Sequence, residues 1–184
     1  MTRVSAGVLV PLLASVLVLA GCGGDDGGDA EDWANDVCVD ISEWVSEVDS
    51  AVASLTEGGL ALDEADLREA ADRVGEATDE LAADIEELGV PEVADGRRAQ
   101  AEVRSLLEAL RDQYEAAQQA LAARLEPLET VARIATALSA AATQLQATLD
   151  DLARLDPAGE LADAFRDSED CDALREQVAS IGRG

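Results

Sequence analysis

The sequence contains no histidine and no lysine. Without histidine there is no Ser-His-Asp triad, no His-bearing zinc site and no Glu-x-x-His di-iron pattern. Without lysine there is no phosphate-cradling G-x-x-x-x-G-K-S/T loop, and no G-x-S-x-G nucleophile elbow occurs either. All 13 basic residues are arginines, set against 40 acids, for a formal net charge of −27. Such a surface repels phosphate backbones, which bind by counterion release to Lys and Arg, and this argues against nucleic acid as a partner. Anionic lipid headgroups are repelled for the same reason. Aromatic residues make up only 2% of the chain. High charge with few aromatics is a signature of disorder, but here 48% of residues are hydrophobic and they recur with a helical period. No apolar run reaches the roughly 20 residues of a bilayer span; the strongly apolar run from Val8 to Ala20 is about 13.

What is present begins with that run. Arg3 precedes it, no acid interrupts it, and Leu19-Ala20-Gly21-Cys22 ends it. A charged start, a short apolar core and small residues at the cut is the layout of a secretory signal peptide. Leu19-Ala20-Gly21-Cys22 resembles the lipobox of bacterial lipoproteins. The resemblance implies a signal peptide over residues 1–21, cleavage before Cys22 and a lipid on its thiol. The protein would then be held by lipid at the outer face of the bacterial cell membrane. The other reading is a plain secretory signal cut near Ala20, with Cys22 an ordinary thiol. Residues 22–29, rich in Gly and Asp, form a tether, and residues 30–184 form one helical domain. If lipid occupies Cys22, only Cys38 and Cys171 remain to pair, in a compartment where disulfides persist; the alternative is two buried free thiols.

Four long helices are predicted, at about 30–56, 62–88, 95–125 and 128–155. The first has apolar residues at Trp33, Val37, Ile41, Trp44, Val48, Val52 and Leu55, in steps of three and four. Asp29 can cap its start and Gly58-Gly59 its end. The second runs through Leu67, Ala70, Val74, Ala77, Leu81, Ile85 and Leu88. Glu64–Arg68 and Glu69–Arg73 are spaced as i,i+4 pairs, Gly75 lies mid-helix where close packing would account for it, and Gly89-Val90-Pro91 stops the helix. The third pattern, from Val103 to Leu125, continues beyond Pro127 through Leu128, Leu138, Leu145 and Leu152. A single helix of that length would extend about 90 Å, twice the earlier ones. Pro127 must therefore kink or break it. A reversal there carries Cys171 back toward Cys38, which favours an all-α, up-down-up-down four-helix bundle with short C-terminal helices. Ser168 is a plausible cap for the last of these.

No catalytic residue, metal ligand or cofactor emerges. The acid pairs Asp25-Asp26, Glu86-Glu87, Asp150-Asp151 and Glu169-Asp170 read as solvated faces, and Asp25, Asp26 and Asp29 lack the spacing of a calcium loop. Trp33 and Trp44 are three helical turns apart and share a face; core packing is the expected role, partial exposure of Trp33 to a partner the alternative. Ile134 to Leu149 carries no charge at all. Its outer side presents Thr136, Ser139, Thr143 and Gln146, a candidate contact for an envelope protein, since interface centres are depleted in charge. The competing reading is that the segment Asp156–Ile181 covers this face. The expected function is a non-enzymatic, lipid-anchored interaction module. The alternative is a ligand-binding lipoprotein with an apolar cavity of several hundred Å³, lined by small residues such as Ala70, Ala77, Ala117 and Ala142.

Overall fold

The computed structural model describes residues 30–58, 64–123, 127–155 and 159–181. The expected signal peptide, Cys22, the expected Gly/Asp tether and the expected Asp29 cap lie outside the described residues. The chain forms an all-α bundle of six helices: α1 Ala30–Gly58, α2 Glu64–Leu88, α3 Gly96–Ala122, α4 Pro127–Leu152, α5 Glu160–Asp167 and α6 Glu169–Ile181.

The chain reverses before Pro127 rather than kinking there. The helix α3 gives way at Ala122 and α4 starts at Pro127. Proline suits a first helical position because its missing N–H would have had no intrahelical partner. From there α4 packs back along α3. At the preceding corner Gly89 adopts a φ of 66°, a left-handed conformation that glycine enters without steric cost. The carbonyl of Gly89 then accepts a hydrogen bond from Trp33 Nε1 at 3.2 Å, so α1 is tied to the α2–α3 turn.

The predicted stripes form the core, unevenly along its length. Trp33, Val37, Ile41, Leu81, Ile85, Val103, Leu107, Leu145, Leu149 and Leu152 are buried. Toward the other end Val52, Leu55, Leu67, Val74, Tyr114, Ala117, Leu121 and Leu138 are only half-buried. The tight end is where the C-terminal segment docks. Both α5 and α6 pack against α1 and α4, burying Leu161, Phe165, Leu174 and Val178. They are part of the core rather than an appendage to four helices. Ser168 caps α6, its Oγ accepting from the Cys171 backbone N–H at 3.1 Å. Cys38 and Cys171 form a disulfide, with Cα atoms 5.0 Å apart, fastening α6 to α1. Both tryptophans are in the core: Trp33 is buried against Phe165, and Trp44 Nε1 donates to Thr78 Oγ1 at 3.0 Å.

One expected ion pair is absent among the described residues. Glu64–Arg68 forms at 2.6 Å, but Arg73 turns from Glu69 to α1, where its Nη2 donates to Ser54 Oγ at 2.8 Å. No described helix is long and apolar enough to cross a membrane.

Candidate functional site

The charge-free side of α4 is open. Thr136, Ser139, Thr143 and Gln146 are all exposed, although α5 and α6 pack elsewhere on the same helix. The C-terminal segment therefore leaves this face uncovered. Thr136, Ser139 and Thr143 border a shallow depression with Ala140 and Gln144; Gln146 is exposed beyond it. Two hydroxyls of the face demand little from a partner's hydrogen bonding. Thr136 Oγ1 donates to the Ala132 carbonyl and Thr143 Oγ1 to that of Ser139, each at 2.8 Å, so both hydroxyl protons are satisfied within the helix. No family model, curated protein or solved structure matches the chain. Function must be argued from the geometry of the site itself.

The loose end of the core holds an apolar cavity of about 70 Å³, reached by residues of α1, α2, α3 and α4. Ala70 and Ala117 line it, as the small-residue stripes suggested, together with Trp44, Val52, Val74 and Leu138. Ala142 lines a second cavity of about 70 Å³ in the seam between α1 and α4, where Val178 of α6 closes one side. Ala77 joins neither and borders the polar groove between α1 and α2. Neither space approaches the several hundred Å³ expected for enclosing a whole drug-sized ligand.

The acid pairs do not assemble into a site. Glu86, Glu87, Asp150, Asp151, Glu169 and Asp170 are exposed, and Arg154 pairs with Asp150 at 3.2 Å. Asp25-Asp26 lies outside the described residues. Among the described residues no group of acids or cysteines is arranged to hold a metal ion.

One carboxylate departs from the solvated pattern. Asp40 lies half-buried in the groove between α1 and α2, beside Glu43, Glu80 and Asp84. Its Oδ2 is buried without a hydrogen-bond partner. Its pKa is raised from 3.8 to about 6, first by burial and then by the charges of Asp84, Asp36 and Glu43. A carboxyl with a raised folded pKa favours the fold fully below its unfolded value and loses that contribution as pH rises through the folded one. The bundle should therefore melt at a higher temperature at pH 5 than at pH 7.5. Asp40→Asn should raise the melting temperature at pH 7.5 by a few degrees and flatten the profile between pH 4 and 7. Thermal melts by circular dichroism across that range check both; an unchanged slope in Asp40→Asn would assign the pH dependence to the overall surface charge.

Proposed function

We propose that this protein is an exported lipoprotein, held at the outer face of the bacterial cell membrane by lipid on Cys22. Its bundle acts there as a non-enzymatic interaction module, and a partner protein of the envelope seats on the α4 face at Thr136, Ser139, Thr143 and Gln146. The observation that carries the reading is an exposed face without charge on a chain whose net charge is −27. A merely solvated face in this sequence would be expected to carry Asp and Glu, as α2 does. Uncharged side chains, two of them with hydroxyls already bonded within the helix, are less expensive to desolvate than charged ones, which suits the centre of an interface. A second copy of the chain is the weaker candidate, because two bodies of this charge repel. Lipid supplies the membrane contact, which the acidic surface cannot.

The test combines anchoring and contact. A photo-crosslinking residue at Ala140 should give an adduct in intact membranes, whereas one at Arg104 on α3 should not. Introducing Thr136→Glu, Ser139→Glu and Thr143→Glu together should leave helicity and melting temperature near wild type and abolish the adduct. Cys22→Ser should release the protein from salt-washed membranes. The absence of an adduct at Ala140 in the parent chain places the partner elsewhere, an adduct that survives the triple substitution shows that Thr136, Ser139 and Thr143 do not hold it, and a Cys22→Ser protein that stays bound removes the lipid anchor from the reading.

A further inference from the structure

Tyr114 of α3 borders two spaces of opposite character. On its inner side is the 70 Å³ cavity, with no charged side chain in its lining. On its outer side is an open groove lined by Asp72, Gly75, Glu76, Asp79 and Glu80 of α2. The Tyr114 ring has room only because residue 75 is glycine: a Cβ there would overlap Tyr114 Oη and Cζ. The close helix packing expected at Gly75 is thus the packing of one aromatic ring. The Tyr114 hydroxyl receives its hydrogen bond from Gln118, one turn along the same helix. Swinging the ring outward therefore breaks no hydrogen bond between helices.

Behind Tyr114 the cavity abuts the second one, and Trp44, Val52, Leu138 and Ala141 border both. The Thr78 hydroxyl in the lining is already engaged, donating to the Val74 carbonyl at 2.7 Å and accepting from Trp44. Each space is about 70 Å³, roughly half the 150 Å³ of an apolar cavity that binds benzene, which suits a few methylenes rather than a whole ligand.

We propose that the space behind Tyr114 takes a short apolar chain, or the terminal segment of a longer one, from an amphiphile with a neutral or cationic head group. Tyr114 is the door, and the carboxylates of Asp72, Glu76, Asp79 and Glu80 receive the head. Each methylene buried strengthens binding about fourfold. An anionic head would face four carboxylates and no basic side chain in the groove, so a fatty acid of equal length should be rejected. This inference uses the inner side of α4 and depends neither on the outer contact face nor on lipidation.

The probes are hexyltrimethylammonium, 1-hexanol and hexanoate, titrated at low ionic strength into the full chain bearing Cys22→Ser, which needs no detergent. Methyl NMR signals of Val52, Val74 and Leu138 should shift to saturation with the cation and the alcohol, while those of Val37 and Val103 stay fixed. Hexanoate should bind at least tenfold more weakly than hexyltrimethylammonium, a gap that narrows in 0.5 M salt. Ala117→Leu, which fills the cavity, should weaken the cation at least tenfold. Equal binding of hexanoate, shifts spread over the surface, or undiminished binding to a folded Ala117→Leu each overturn the proposal. If Ala117→Leu does not fold, the pattern of shifts in the unfilled chain decides.

Discussion

Replacing Cys38 and Cys171 together with serine is expected to lower the melting temperature by roughly 10–20 °C. The bridge spans a sequence separation of 133 residues, and cross-linking a loop of that size removes on the order of 5 kcal/mol of unfolded-chain entropy. Both residues are fully buried, so two hydroxyls would also be left in an apolar setting where each needs a hydrogen-bond partner. Circular dichroism melts of the double variant, and of the parent protein with and without reductant, give the shift. Hydrogen exchange should show α5 and α6 losing protection before α1 to α4. A change of less than about 3 °C would mean that the apolar contacts of Phe165, Leu174 and Val178 hold the C-terminal helices without the bridge.

Phe165→Ala should cost about 3–5 kcal/mol, the usual range for emptying a buried phenylalanine site, or roughly 10 °C in melting temperature. Phe165 is fully buried and meets Trp33 edge-on, with ring centroids 5.9 Å apart and planes at 88°, a favoured geometry for an aromatic pair. Its backbone is engaged too: Arg175 Nη2 donates to the Phe165 carbonyl at 2.7 Å, joining α5 to α6. The truncation removes the largest side chain that the C-terminal segment contributes to the core. Loss of the near-ultraviolet dichroism of Trp33, read beside the thermal melt, would locate the damage at this pair. A melting temperature within 2 °C of the parent would make α5 a surface helix, contrary to its buried Leu161 and Phe165.

The long helices were legible because each depends on local rules. Steps of three and four fix the inward stripe from Trp33 to Leu55 or from Val103 to Leu121, and Gly89-Val90-Pro91 announces its own corner. The reversal before Pro127 was open to inference because two cysteines had to meet. Much else was set by tertiary packing, which periodicity does not encode. Leu106 is fully buried beside the predicted Leu107, because α3 is covered by more than one neighbour and its apolar face is wider than a single stripe. The half-buried far end has the same periodicity as the tight end, so sequence spacing alone could not tell them apart. Asp40 has Asp36 and Glu43 on neighbouring turns, a crowding visible in the sequence. Its burial, and the charge of Asp84, come from the packing of α2. The Gly75–Tyr114 contact crosses two helices and leaves no local mark beyond a glycine where alanine would be the better helix former. The candidate contact face was the reverse case: its lack of charge was plain in the sequence, while its openness depended on where α5 and α6 came to rest.

Fastening the first helix to the last also changes how the molecule responds to a pull. Consider the chain gripped ahead of Cys38 and at the Ser139 face of α4. Without a cross-link, about 100 residues lie between the grips and can pay out roughly 350 Å when unravelled. With Cys38 joined to Cys171, the shorter way round is about 30 residues, and the slack falls to roughly 110 Å. The load then runs through the start of α1, across the bridge, and back through α5 and the C-terminal half of α4, and α2 and α3 are left out of the taut path. The bridge therefore acts as a strain limiter, a short leash between the start of α1 and the outer face of α4.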